Sequence, residues 1–135
     1  VDVEVLKTDP QLEDLDLSGT TLRDPSFLST FANMKRLNVA YCKIGDLSPI
    51  LALTKLESLD ISHTNIKDLE GIEALQSLHD LNINSTDVES AQSLWSMPNL
   101  QTVKAENCGK ILESNLKEFK EHLEENGGTC EVSFY

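Results

Sequence analysis

The chain has 135 residues, one domain's worth or a short piece of a repeat array. With 39% hydrophobic but only 5% aromatic residues, leucine and isoleucine must build its core. A formal net charge of −12 argues against nucleic acid and anionic membrane surfaces, which are bound through Lys and Arg; it is compatible with a basic partner or with solubility alone.

No apolar run approaches the 18 or so residues of a membrane-spanning helix, and no basic-then-apolar leader is read at the front. The chain opens on Val1 rather than Met, so it is expected to be a segment of something larger. Cys42, Cys108 and Cys130 are odd in number and form no CxxC, which points away from a disulfide framework. A reducing, cytoplasmic setting is the expectation.

In chain order, residues 1–11 come first. Val1, Val3 and Val5 alternate and read as a strand, either an N-terminal cap or what is left of a preceding repeat. From residue 12 one pattern recurs every 22 residues. It runs Leu12-x-x-Leu15-x-Leu17-x-x-Thr20-x-Leu22, then Met34-x-x-Leu37-x-Val39-x-x-Cys42-x-Ile44, then Leu56-x-x-Leu59-x-Ile61-x-x-Thr64-x-Ile66. Leu78-x-x-Leu81-x-Ile83-x-x-Thr86-x-Val88 follows, and Leu100-x-x-Val103-x-Ala105-x-x-Cys108 closes the series, with Ile111 arriving late. Each repeat offers one short strand, and a single coil cannot bury its leucines alone. Stacked coils give a parallel sheet over a shared interior. The Thr or Cys turns the corner and satisfies backbone groups there.

The second half of each repeat is equally regular. Pro25, Leu47, Leu69 and Ala91 occupy one offset; Leu28, Ile50, Ile72 and Leu94 lie three residues on, and Phe31, Leu53, Leu75 and Met97 three more. Spacing by threes predicts short 3₁₀ or helical turns on the convex side. Asp24, Asp46, Asp68 and Ser90 stand just before these turns and read as N-caps, not as a metal site. The tail 112–135 reads as a cap. "SNLKEFKEHLEEN" is an amphipathic helix from Ser114 to Asn126, with Ser114 or Asn115 as its cap, Gly127 and Gly128 as its stop, and Glu121, Glu124 and Glu125 on a solvated face. "TCEVSFY" follows as a strand with Cys130, Val132 and Phe134 on one face.

The five registers over residues 12–111 resemble the leucine-rich repeat family, whose pattern is LxxLxLxxN/CxL. The period is similar to the short subclass of the protein-phosphatase-1 regulatory subunit and of internalins. Those subclasses carry asparagine at the polar position, where this chain has Thr20, Cys42, Thr64, Thr86 and Cys108. The resemblance implies an α/β fold: a right-handed solenoid of five 22-residue repeats with a parallel concave sheet and a C-terminal helix–strand cap.

In such a solenoid the residues between the leucines form columns on the concave sheet. Arg36, Asn38, Tyr41, Ser58, Asp60, His63, Asp80, Asn82 and Lys104 are the candidate partner-binding residues there, along with the neighbouring Asp14, Asp16, Ser62 and Ala40 positions. Tyr41 and Arg36 are residue types that anchor interfaces, and His63 extends their patch. Trp95, one place off the inward column, is either a packing residue or a second contact on the convex side. A sheet of six strands about 4.8 Å apart and about 15 Å wide offers on the order of 400 Å². A standard interface buries about 800 Å² per partner, so tight binding needs flanks or further repeats.

Catalytic and metal motifs are not read. His63, His79 and His122 are scattered, with no HxxxH, P-loop, GxGxxG or GxSxG. Asn84-Ser85-Thr86 matches the N-glycosylation pattern and is read as coincidence. The functional expectation is a non-enzymatic, cofactor-free, monomeric protein-interaction module whose partner includes a basic segment. The alternatives are the recognition or regulatory part of a larger enzyme assembly, such as a phosphatase or ubiquitin ligase, and an internalin-type bacterial adhesin.

Overall fold

The computed structural model describes residues 11–22, 25–97, 99–108, 110–111 and 113–132. The alternating valines near the front, the Asp24 cap and the Phe134 position of the terminal strand lie outside the described residues.

Six strands form one parallel sheet in chain order: β1 Asp14–Asp16, β2 Arg36–Asn38, β3 Ser58–Asp60, β4 Asp80–Asn82, β5 Thr102–Ala105 and β6 Thr129–Val132. Each repeat contributes one strand, so the register steps by 22 residues: Leu15 pairs with Leu37, Leu37 with Leu59, Leu59 with Leu81 and Leu81 with Val103. The coil-to-coil bonding continues beyond the strands. The backbone N–H groups of Leu17, Val39, Ile61 and Ile83 donate to the carbonyls of Asn38, Asp60, Asn82 and Lys104 at 2.8–3.0 Å.

The inward positions behave as their spacing predicts. Met34, Leu56, Leu78 and Leu100 are buried, as are Leu37, Leu59, Leu81 and Val103 and the column Leu17, Val39, Ile61, Ile83 and Ala105. Leu12 and Leu15 are partly buried against this cluster. At the polar corner, the Thr64 and Thr86 hydroxyls donate to the carbonyls of Ile61 and Ile83 at 2.6 and 2.9 Å, both within their own coil. The two cysteines reach back one coil instead: Cys42 Sγ donates to the Leu17 carbonyl at 3.1 Å and Cys108 Sγ to that of Ile83 at 3.0 Å. Burial pushes both thiols above the ordinary cysteine range, keeping them neutral.

The back of the solenoid carries 3₁₀ turns: η1 Pro25–Thr30, η2 Ile72–Ala74 and η3 Gln92–Ser96. In the second repeat the same stretch is a run of turns closed by Ile50 and Leu51 N–H bonds to the Leu47 carbonyl. Three of the predicted capping side chains form turns two residues long and are not N-caps, because the cap positions of η2 and η3 are Gly71 and Ala91, neither with a side-chain cap bond. The Asp46 and Asp68 carboxylates and the Ser90 hydroxyl accept from the N–H groups of Ser48, Glu70 and Gln92 at 2.8, 3.1 and 3.1 Å.

Helix α1 spans Glu113–Glu125 and buries Phe119 and Leu123 while Glu121, Glu124 and Glu125 stay exposed. It begins one residue ahead of the predicted start, so Ser114 and Asn115 lie within its first turn and are not its cap. Its end is a Schellman motif. Gly127 at φ 84° donates to the Glu124 carbonyl, and Gly128 donates to that of Leu123 at 2.9 Å. Gly128 is there for space as well, since a Cβ on it would sit 2.5 Å from the Gln101 carbonyl oxygen. β6 then joins β5 in parallel, Val103 opposite Cys130 and Ala105 opposite Val132.

Candidate partner-binding face

The outward side chains of the strands fall into two columns. Asp14, Arg36, Ser58, Asp80 and Thr102 make one, and Asp16, Asn38, Asp60, Asn82 and Lys104 the other. They line two shallow depressions. One of about 480 Å³ is bordered by Asp14, Asp16, Arg36, Asn38, Ser58 and Asp60. The next, of about 320 Å³, is bordered by Ser58, Asp60, Asp80, Asn82, Thr102 and Lys104.

Many of these side chains are already employed. Asp16, Asn38, Asp60 and Asn82 each turn a side-chain oxygen onto the N–H two residues ahead, all at 2.9 Å. This Asx turn ends each strand, which explains why Asp and Asn alternate in the column. Lys104 cannot accept a hydrogen bond. At that level Asn84 reaches across from the preceding coil, and its oxygen accepts from the Glu106 N–H at 2.8 Å. The same bond commits the acceptor residue of the Asn84-Ser85-Thr86 pattern to the fold. The turn also corrects one expectation. Ser62 does not face outward: it is only 5% exposed and its hydroxyl donates to Asp60 at 2.6 Å. Ala40, one coil earlier, is buried in the same way.

Arg36 is clamped by both oxygens of the Asp14 carboxylate, its Nη2 donating at 2.8 Å. The guanidinium holds the Asp14 carboxyl below the ordinary range, by hydrogen bonding first and charge second. The two Ser18 bonds do the same for Asp16. His79 sits between Glu57 at 3.7 Å and Asp80 at 3.0 Å, on the edge of the same face. With Asp14 and Arg36 neutralising each other, Asp16, Asp60 and Asp80 outnumber Lys104 and leave the face acidic.

Beyond the Asx turns lies a column that sequence reasoning only half found. Gly19, Tyr41, His63, Ser85 and Asn107 all adopt left-handed backbone, with φ from 55 to 71°. Only glycine enters this region freely, and a tyrosine there is strained. Gly19 at the head and Asn107 at the foot were the available signal, since both residue types favour that conformation. The left-handed turn throws the side chain outward. Tyr41 is 64% exposed, and its ring stacks on His63 with centroids 4.2 Å apart and planes within 6°. The structure thus brings these two candidates together as one aromatic surface.

Trp95 behaves differently. It is 37% exposed, stacks on His122 at 4.3 Å and leans on Phe119 at 6.2 Å, so it docks α1 onto the back of the solenoid. Among the described residues no three His, Cys, Asp or Glu side chains converge as a metal site, and no helix is long and apolar enough to cross a membrane.

Two family models match the chain: Leucine Rich repeats (2 copies) over residues 54–92 and Leucine Rich repeat over residues 32–47. With the 22-residue parallel ladder, they decide the family. The chain is a leucine-rich repeat protein. Solved leucine-rich repeat structures share its fold. Internalin C2 from Listeria monocytogenes superposes with a TM-score of 0.81 at 23% identity, over 98% of this chain and 56% of its own. A leucine-rich repeat protein of Leptospira interrogans gives 0.74 at 20% identity, over 99% and 40%. The functional domain of InlJ from Listeria monocytogenes, which includes a cysteine ladder, gives 0.58 at 25% identity, over 80% and 28%. The leucine-rich repeat chain therefore spans little more than half of the longest-covered of these proteins. Comparison with curated protein sequences returns no match.

Proposed function

We propose that this leucine-rich repeat chain is a non-enzymatic module that binds a protein partner on its concave sheet face. Domains of this family commonly act as protein-interaction modules. The observation that carries the reading is the exposed Tyr41–His63 stack, held in strained left-handed backbone beside an open acidic sheet. Strain of this kind collects where a side chain must be presented in a set direction. Stability alone would favour Gly or Asn at these positions.

The face itself is small against a standard interface, so the binding unit extends into flanking surface or neighbouring repeats. That suits a recognition segment of a larger assembly; a reducing cytoplasmic setting and a monomeric chain are part of the same proposal. The internalin-type reading draws on the two Listeria structures of like fold. Fractionation of cells expressing the parent protein separates the two: recovery with the cell surface favours the adhesin.

The direct test is a paired affinity purification. One bait is the native chain; the other carries Tyr41→Ala and His63→Ala. Both residues are exposed, so circular dichroism of the two should coincide. A partner held by the first and lost from the second is the expected result. Equal recovery would remove the sheet face from the function and leave the Trp95 side.

A further inference from the structure

The left-handed column is filled unevenly. At its foot, Asn107 Nδ2 donates to the Ser85 hydroxyl at 3.1 Å. In its middle, Tyr41 and His63 stack. At its head Gly19 offers no side chain, and a Cβ placed there would meet nothing within 4 Å. Yet Gly19 is in register with the others: its N–H donates to the Ala40 carbonyl at 2.8 Å, as that of Tyr41 does to Ser62 at 3.0 Å. One face of the tyrosine ring rests on His63, and on its other side the next position of the column, among the described residues, is the side-chain-free Gly19.

From this geometry, resting on the protein-binding reading above, we infer that the slot over Gly19 receives an arginine side chain of the partner, its guanidinium stacked on Tyr41. A planar cation continues the spacing of the aromatic pair, which an ammonium does not. The surroundings match its charge. Asp16 follows the strand into the Gly19 turn, and Asp14, Asp16 and Asp60 border the adjoining 480 Å³ depression. Asp16 engages its Oδ1 with Ser18. Within that depression Arg36 is the cation, and it is neutralised by Asp14. A guanidinium above Gly19 would thus meet a π face and unneutralised carboxylate together, the combination that favours Arg over Lys and over any neutral group.

The test is a ¹H–¹⁵N NMR titration of the full chain with the pentapeptide Gly-Gly-Arg-Gly-Gly. The counterparts carry citrulline, which keeps the shape without the charge, and lysine. The arginine peptide is expected to shift the amides of Gly19, Tyr41 and His63. It should bind about fivefold or more tighter than the citrulline peptide, and more weakly as salt rises. Gly19→Asn should fill the slot without backbone strain and abolish the shifts. Tyr41→Leu keeps apolar bulk but no π face, and should do the same if Gly19→Asn disturbs the spectrum at large. Equal binding of arginine and citrulline, shifts centred on Trp95, or no shift at about 100 mM peptide would overturn the inference. If a partner is lost with Tyr41→Ala and His63→Ala while the arginine peptide does nothing, the protein-binding reading stands and the arginine slot falls.

Discussion

Two substitutions at Tyr41, to alanine and to glycine, separate the strain of its backbone from everything else the residue does. Both remove the ring and its stack on His63, so the aromatic contribution cancels between them. They differ by one Cβ at φ 63°. Left-handed backbone costs an L-residue about 1–2 kcal/mol. Glycine gives back about 0.4–1 kcal/mol through the larger entropy of its unfolded chain. The glycine variant should therefore be the more stable by about 1 kcal/mol, or roughly 4 °C in Tm for a chain of this size. Glu121, exposed in the middle of α1, supplies the opposite case: there alanine should exceed glycine by about 1 kcal/mol, because the helix favours the Cβ. Urea and thermal unfolding followed by circular dichroism read both pairs. If alanine equals or exceeds glycine at Tyr41, the residue is not strained, and the argument from strain to presentation fails.

Three further outcomes follow from the same contacts. Asp60→Ala should cost about 2 kcal/mol in urea unfolding, because it strips the Ser62 N–H and hydroxyl of their acceptor while Ser62 stays buried; Asp60→Asn, which keeps an oxygen there, should cost less than half of that. Gly128→Ala drives a Cβ into the Gln101 carbonyl and Leu123, so α1 and β6 must shift off the last repeat. A loss of about 1–3 kcal/mol and a red shift of Trp95 fluorescence are expected, and an unchanged emission spectrum would refute the coupling of cap and tryptophan. The carboxyls of Asp14, Asp16 and Asp46 are held below their ordinary range by Arg36, Ser18 and Ser48 respectively. Their support is therefore complete above about pH 4 and is lost as pH falls through the lowered folded values. Asp16→Asn should shrink the acid-induced fall in stability, and an identical acid limb in the variant would remove Asp16 from it.

The candidate site was legible unevenly. Its columns followed from the period of the leucines, and Tyr41 beside His63 followed from the shift of 22. The Asx turns did not. A column of Asp and Asn on a predicted binding face reads as recognition until the backbone is seen to curl back onto each side chain. Arg36 likewise looks like a free anchor until Asp14, one coil away, is seen to hold it. Both misreadings have one cause: a short polar side chain on a tightly stacked coil finds its nearest partner in its own turn or in the next coil, before any ligand arrives.

By itself, the sequence determined the parallel ladder, its register, the buried columns and the exposed face of the terminal helix. All of these follow from periodic burial, which one period of 22 residues repeats down the chain. Only the tertiary structure decided the left-handed ladder, the inward turn of Ser62, the docking of Trp95 on His122 and the bare position over Gly19. These depend on where neighbouring coils place their backbones within a few ångströms. A one-dimensional pattern carries the face on which a residue falls. It does not carry the dihedral angle at which the chain turns the corner, nor which neighbouring side chain is small enough to leave a surface open.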